Sequence, residues 1–406
     1  MFWLVWCCVL SRDIIEEIIE SRFSRVHRIF VDREKLHPDY IPDRLPHREE
    51  EIKRIASILA DGLLGRKPSN ILIYGLTGTG KTAVTLFVLR RLVDRARRDR
   101  VRFDYAYINT RKVDTEYRVL AEIARSLGLR IPYTGIAKAE VYRRYREALD
   151  EWSGVHVIVL DEIDYYVRKH GDDLLYRLLR INEELENGKA SLIGITNDVN
   201  FVENLDPRVR SSLGEVEIVF PPYNAEQLED ILWERAKKAF NPNAIGLEVI
   251  KYCAALAARE HGDARRALDL LRVAGEIAER EDADKVTIKH VKKAALEIEY
   301  GRIHRVVSTL PLHARLVLKT IIGLVKTKGS TITGEVYNHY SRLAKRLGYE
   351  PLTQRRVSEI ISELDMLGIV NAVVVSRGRY GKTKIVRVEK TILDAIEEIL
   401  DKSLEE

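Results

Sequence analysis

Residues 69–82 read SNILIYGLTGTGKT: a short apolar run, Ile71-Leu72-Ile73, then a glycine-rich loop, then a lysine and a threonine at the head of a helical pattern. The loop Gly75-Leu76-Thr77-Gly78-Thr79-Gly80-Lys81-Thr82 fits the spacing G-x-x-x-x-G-K-[ST] at every position. That spacing has a physical purpose. Glycines let consecutive backbone N–H groups turn inward around an anion without Cβ clashes. The helix that follows from Lys81 and Ala83 presents its positive end to the same point. Lys81 adds a mobile cation for terminal phosphates, and the Thr82 hydroxyl is a ligand for Mg²⁺. The pattern therefore predicts a nucleoside-triphosphate site, with Gly75, Thr77, Gly78, Thr79, Gly80, Lys81, Thr82 and Ala83 around the phosphates.

A second segment answers the first. Residues 155–164 read VHVIVLDEID, the unbroken apolar run of a strand covered on both faces of a parallel sheet. An Asp at the C-terminal end of such a strand faces the phosphate loop and can hold Mg²⁺ through water, which assigns Asp161 to the metal with Thr82. The adjacent Glu162 can orient and polarise an attacking water.

Around these two strands, short apolar runs alternate with helical periodicity from about residue 49 to residue 220. The strand candidates are 71–74, 103–108, 155–160, 191–196 and 216–220, with helices between them such as 82–97 and 138–152. Such alternation predicts a five-stranded parallel sheet with helices on both faces. After Pro221-Pro222 the pattern turns wholly helical, at 225–239, 247–260, 264–280 and 288–298, a small lid. A third unit follows, in which amphipathic helices at 310–324, 331–347 and 353–367 precede strands at 370–375 and 384–388. Gln354, Arg355 and Arg356 open the third of those helices, polar and basic as a DNA recognition helix requires. Its Val357, Ile360, Ile361, Leu364 and Leu367 are predicted to pack on the core. The hairpin tip between the strands carries Arg377, Arg379, Tyr380 and Lys382, a glycine-rich basic wing suited to phosphates or a groove. The fold class is thus α/β, a P-loop ATPase with a helical lid and a C-terminal winged helix. Its expected divisions are a tail at 1–20, a base at 21–223, a lid at 224–303 and a winged helix at 304–395.

Bulk composition agrees with this division. At 406 residues the chain is too long for one core. It is 46% hydrophobic and 32% charged, and the high charge with only two glutamines leans toward a thermophile. Net charge is +5, but residues 301–390 hold seventeen Lys and Arg against six Asp and Glu, while residues 1–300 are close to neutral. A basic C-terminal unit on a neutral body points to nucleic acid. Cys7, Cys8 and Cys253 make no disulfide framework or metal cluster, and Cys253 reads as core. The first ten residues, MFWLVWCCVL, are too short to span a bilayer. They read as a disordered or misassigned start, with a peripheral membrane anchor as the lesser reading. A cytoplasmic, nucleoid-associated protein without a membrane partner is expected.

Three further motifs complete the pattern. Asn197 ends the strand SLIGITN, where an amide can bridge a catalytic water and the γ-phosphate. The segment LDPRVRSSL, 205–213, carries Arg208 and Arg210, either of which can serve a neighbouring protomer's nucleotide. Gly262-Asp263-Ala264-Arg265-Arg266 opens a lid helix with two arginines. Taken in order, these motifs resemble an AAA+ ATPase. More closely, the chain is similar to the archaeal replication-initiator family, the counterparts of the eukaryotic origin recognition complex and its helicase-loading partner. YIPDRLPHREEEI at 40–52 resembles the box that precedes the P-loop in that family, and FPPYNAEQLEDIL at 220–232 resembles its sheet-to-lid junction. The resemblance spans roughly residues 30–390.

The resemblance implies that Asn197 and Arg265 sense the γ-phosphate as catalytic residues beside Glu162, with Arg266 facing outward. It implies that Tyr223 and Arg235 contact the nucleotide, and that ATP, ADP and Mg²⁺ are the cofactors. Its implied partners are double-stranded origin DNA, the replicative MCM helicase and other initiator paralogues. The inserted stretch 110–134 is implied to make a second DNA contact, near Pro132-Tyr133-Thr134-Gly135. Ser212 stands where eukaryotic members often carry an arginine, which leaves the finger open between Arg208 and Arg210. Two other functions compete: a different winged-helix AAA+ machine, such as a clamp loader or branch-migration motor, and a nucleotide-gated promoter regulator.

Overall fold

The computed structural model of the protein describes residues 29–132, 134–376 and 382–405. They divide into two compact units, 1–291 and 292–406. The expectations for the N-terminal apolar stretch, for Tyr133 and for Arg377, Arg379 and Tyr380 at the wing tip lie outside the described residues.

The first unit is built on five parallel strands. These are β1 (Ile71–Gly75), β2 (Phe103–Asn109), β3 (Val155–Asp161), β4 (Lys189–Thr196) and β5 (Val216–Phe220), in the spatial order β2-β3-β4-β1-β5. All seven residues of β3 are buried, as its unbroken apolar run requires of a central strand with helices on both faces. Its one imidazole, His156, is satisfied by the hydroxyls of Tyr145 at 2.9 Å and Ser126 at 3.0 Å. Burial holds that imidazole down at about 3, so it is a neutral core group.

Register then places the chemistry. Tyr74 lies beside Thr196, and Asp161 beside Ile195 on one side and Asn109 on the other. The C-terminal ends of β1, β3 and β4 therefore open at one edge, with β4 between the other two. Helix α1 (Glu49–Leu59) precedes β1, and α2 (Lys81–Asp99) leaves the phosphate loop. Between β2 and β3 come α3 (Glu116–Ser126), within the inserted stretch, and α4 (Lys138–Trp152). Helices α5 (Ile163–His170) and α6 (Asp173–Arg180) follow β3, and α7 (Pro207–Leu213) precedes β5.

The lid helices belong to the same unit. Helix α8 (Ala225–Ala239) starts with a reciprocal capping box, the Asn224 side chain accepting from the Gln227 N–H and the Gln227 side chain from the Asn224 N–H. Helices α9 (Leu247–Arg259) and α10 (Ala264–Arg280) complete the packed lid. Cys253 is fully buried in α9, and burial pushes its thiol up to about 12, which makes it inert.

The second unit begins within α11 (Ile288–Thr309), which runs eleven residues beyond its expected end at 298. Gly301 alone does not break a helix, and the next stop is Pro311, the N-cap of α12 (Leu312–Lys328). The unit continues through β6 (Thr331–Ile332), α13 (Thr333–Arg346), α14 (Gln354–Met366), β7 (Asn371–Ser376) and β8 (Lys382–Arg387), and closes with α15 (Lys390–Glu405). Its three strands pair antiparallel in the order β6-β8-β7. Two elements were not expected. Strand β6 is two residues long and leaves no periodic signal. Helix α15 hides in an acidic stretch, yet its Ile392, Leu393, Ile396, Ile399 and Leu400 join the winged-helix core. One packing expectation fails: Leu367 is 41% exposed because it is the C-cap of α14 and turns away from the face that buries Val357, Ile360, Ile361 and Leu364.

Candidate functional site

The phosphate loop needs its glycines for two separate reasons. Gly78 and Gly80 have φ of +73° and +91°, a region that side chains rarely adopt. Each also has a close neighbour. A Cβ on Gly78 would lie 1.7 Å from Asp263 Oδ1, and one on Gly80 would lie 2.8 Å from the Tyr223 hydroxyl. The lid and the sheet-to-lid junction thus press directly on the loop. The Ala264 N–H donates to the Gly78 carbonyl at 3.1 Å, and the Asp263 carboxylate caps α10 through the N–H groups of Arg265 and Arg266. Thr79 is fully buried, with its hydroxyl donating to the Leu76 carbonyl, while Thr77 is exposed at the turn. Ala83 sits in the first turn of α2.

Lys81 is 6% exposed, and its ammonium donates to the Gly75 and Leu76 carbonyls and to Asn197 Oδ1, all at 2.7–2.8 Å. β4 lies next to β1, which is why Asn197 at its end reaches the lysine. Burial pulls the ammonium down to about 8, with the Asp161 carboxylate partly opposing it. Across the edge, the Thr82 hydroxyl donates to Asp161 Oδ2 at 2.8 Å, so the two expected metal-binding groups do meet. A hydroxyl and a carboxylate beside a buried ammonium are the oxygen donors a hard cation takes, and they fit Mg²⁺ with a phosphate.

Glu162 follows directly, in a left-handed conformation with φ of 56°. A non-glycine residue stays there only when its surroundings hold it. The Thr110 hydroxyl does so, donating to the carbonyls of both Asp161 and Glu162 at 2.9 and 2.8 Å. The Glu162 carboxylate is paired with Arg111 at 3.4 Å. Arg265 is exposed, and no described residue takes its guanidinium as a hydrogen-bond or ion-pair partner, whereas Arg266 is bound to Glu260 at 2.9 Å. Tyr223 is buried at the junction.

Arg235 is engaged elsewhere. Its guanidinium donates to the carbonyls of Lys35 and Tyr40, both at 2.8 Å, and lies over the Tyr40 ring. Burial pulls it down to about 10. It ties the segment ahead of α1 to the first lid helix. Arg208 and Arg210 are both exposed on α7. Arg208 is chelated by Asp206 and lies 5.1 Å from the Tyr176 ring centre.

Reading the sequence missed Arg48, which is 2% exposed. Its Nε donates to the Thr79 carbonyl at 2.9 Å and its Nη2 to the Pro221 carbonyl at 2.6 Å, and Nη1 pairs with Glu51 at 3.2 Å. The guanidinium stacks 3.9 Å from the Tyr223 ring centre. One side chain thereby joins the phosphate loop to the sheet-to-lid junction. Its only signal was a place in the box at 40–52. Tyr107 and Asp263 were also missed, since neither residue type is diagnostic alone.

In the second unit, Thr353 caps α14, and Gln354, Arg355 and Arg356 are exposed on its first turn. Both arginines are held by acids of the same helix: Arg355 by Glu359 at 3.2 Å, Arg356 by Glu359 at 3.1 Å and Glu363 at 3.0 Å. Lys382 starts β8 opposite Ser376, at the foot of the wing. Lys384 donates to the Ser358 carbonyl at 2.8 Å and fastens the wing to α14.

Known proteins resemble this chain along most of its length. Three family models match it: an AAA domain at 65–199, a Cdc6 AAA+ ATPase-type lid domain at 229–296 and a CDC6 C-terminal winged helix domain at 305–398. The ORC1-type DNA replication protein of Desulfurococcus amylolyticus is 63% identical over 96% of this chain and 98% of its own. The ORC1-type DNA replication protein 1 of Sulfurisphaera tokodaii is 59% identical over 95% and 96%. Among solved structures, the Aeropyrum pernix ORC1 protein in complex with DNA matches with a TM-score of 0.81 and 56% identity, covering 92% of this chain and 97% of that one. With such identity over almost the full length of several relatives, the chain belongs to the archaeal Orc1/Cdc6 family of ORC1-type DNA replication proteins.

Proposed function

We propose that this protein is a nucleotide-dependent replication initiator, which binds origin duplex DNA and helps recruit the replicative MCM helicase. The observation that carries the nucleotide half is the closed set of contacts at the sheet edge: Lys81 to Asn197, Thr82 to Asp161, and Asp263 of the lid against Gly78. The likeness to the A. pernix protein in complex with DNA supports the other half, as does the exposed Gln354–Arg356 turn on a basic unit.

ATP and ADP are the nucleotides inferred. The loop from Gly75 to Ala83 cradles the phosphates, with Lys81 as the point charge, and Thr82 and Asp161 hold Mg²⁺. Bound there, Mg²⁺ would neutralise charge on the phosphate oxygens. Glu162 orients the attacking water, Asn197 positions it against Lys81, and Arg265 reaches from the lid. The divisions inferred are a base to residue 223, a lid at 224–303 and a winged helix at 304–395. No described helix is long and apolar enough to cross a membrane, and we place the protein in the cytoplasm with the nucleoid.

ATP here acts as a slow switch. Asp263 and Tyr223 both abut the loop, so a change at the phosphates bears on the lid and its junction within one chain. Steady-state hydrolysis on DNA of increasing length tests this. Slow turnover independent of length, with ADP surviving purification, agrees with a switch. Fast turnover that rises with length makes the protein a motor.

A further inference from the structure

Side chains alternate along a strand, so Tyr107 and Asn109 share a face of β2. The register sets Tyr107 beside Val159 and Asn109 beside Asp161. From that position the Tyr107 hydroxyl donates to Asp161 Oδ2 at 2.8 Å. The Thr82 hydroxyl donates to the same oxygen at 2.8 Å, and the Glu162 N–H donates to Oδ1 at 3.0 Å. Three donors from three segments therefore fix one carboxylate.

The tyrosine bond has a defined place in the site. Tyr107 stands on the edge strand and is 37% exposed as a residue, but burial and the neighbouring Asp161 carboxylate push its hydroxyl up, and Asn109 lies on the same face. The partner that accepts its proton is the Asp161 carboxylate, at the point where the Thr82 hydroxyl also lands. The three donors also differ in what else they must do. On the nucleotide reading, the Thr82 hydroxyl would turn to a cation beside the phosphates and so leave Asp161. The Glu162 N–H belongs to the backbone and holds the other oxygen. Once Thr82 has turned, Tyr107 is the remaining side-chain tether on Oδ2.

We propose that Tyr107 is a positioning residue for the divalent cation: it holds the Asp161 carboxylate in the orientation that receives the ion's water shell, and so sets the affinity for Mg²⁺ without touching it. This rests on the nucleotide reading above and deepens it. Partners that orient a ligand in this way typically change metal affinity about tenfold or more when removed. Phenylalanine fills the same space and removes only the donor.

The test is a Mg²⁺ titration of fluorescent ADP binding by the full chain, wild type against Tyr107→Phe, with parallel binding in EDTA. The expected result is a Mg²⁺ midpoint raised about tenfold in the variant, while affinity in EDTA stays within about twofold because the P-loop donors are unchanged. Adding Tyr107→Phe to Asp161→Asn should then shift nothing further, since the two act as one unit. An unchanged midpoint in Tyr107→Phe overturns the proposal, and so does a further tenfold shift in the Asp161→Asn background. A wild-type chain that binds no ADP at all overturns the nucleotide reading itself, a distinct result.

Discussion

At the nucleotide edge of the sheet, Lys81 is 6% exposed and its ammonium is shared among three oxygens from the loop and a neighbouring strand. On the recognition helix, the Arg355 side chain is 91% exposed and its one carboxylate partner, Glu359, lies one turn along the same helix. On the proposed reading both cations serve phosphate-bearing ligands, yet one is caged and the other merely parked. The buried cation has little freedom left to lose, so its geometry is prepaid and suited to chemistry that tolerates no displacement. The exposed pair is worth little by itself, so Arg355 and Arg356 can exchange Glu359 and Glu363 for phosphates at low cost. Preorganisation belongs to the first unit and exchange to the second.

Four perturbations separate the two regimes. Glu162→Gln keeps the shape and removes the base, so single-turnover hydrolysis should fall about a hundredfold to ten-thousandfold while ATP still binds. Unchanged turnover would take Glu162 out of the chemistry. Arg48→Ala should destabilise the protein by about 3–5 kcal/mol, because Glu51 and the Thr79 and Pro221 carbonyls lose a buried partner together. Chemical denaturation reads that directly, and a loss below about 1 kcal/mol would mean that loop and junction are held by other contacts.

Lys81→Ala should weaken ATP binding about tenfold to a hundredfold or more, as a charge-assisted contact is lost. The same residue gives a pH signature. Its ammonium is lowered to about 8 in the free site, and a phosphate raises it again. The free protein must therefore take up a proton to bind above pH 8. Affinity should hold steady below that pH and fall about tenfold by pH 9. An affinity flat to pH 10 would contradict the caged-cation picture. The smallest effect is expected on α14, where Arg355→Ala and Arg356→Ala should each reduce the salt slope of DNA binding by about one unit. A slope unchanged in the double variant would remove these arginines from the interface.

How far the sequence speaks follows the same division. The phosphate loop and the DEID strand were legible because the chemistry dictates residue type, spacing and a buried strand at once. Asn197 was legible because it ends a recognisable strand. Arg48 was not, since its role depends on meeting Thr79 and Pro221, thirty-one and 173 residues away. Arg235 was expected at the nucleotide, but a lone basic residue in a helix carries no information about which carbonyls it will find, and it found those of Lys35 and Tyr40. Helix α15 was obscured because its apolar stripe lies among five acids. The winged-helix pattern was legible in outline, with its third helix expected from residue 353 and found from Gln354 behind the capping Thr353. The pairing of its arginines with Glu359 could have been read from i,i+3 and i,i+4 spacing, and it tempers how strongly those arginines are committed to DNA before it arrives.

The most direct measurement is a genome-wide footprint of the protein in its own cells, wild type beside Lys81→Ala. A replication initiator whose nucleotide site governs its grip predicts a few strong sites that coincide with the points where replication starts, with occupancy altered in the variant. Sites spread over promoters, or occupancy at origins that ignores the loss of Lys81, would contradict the account.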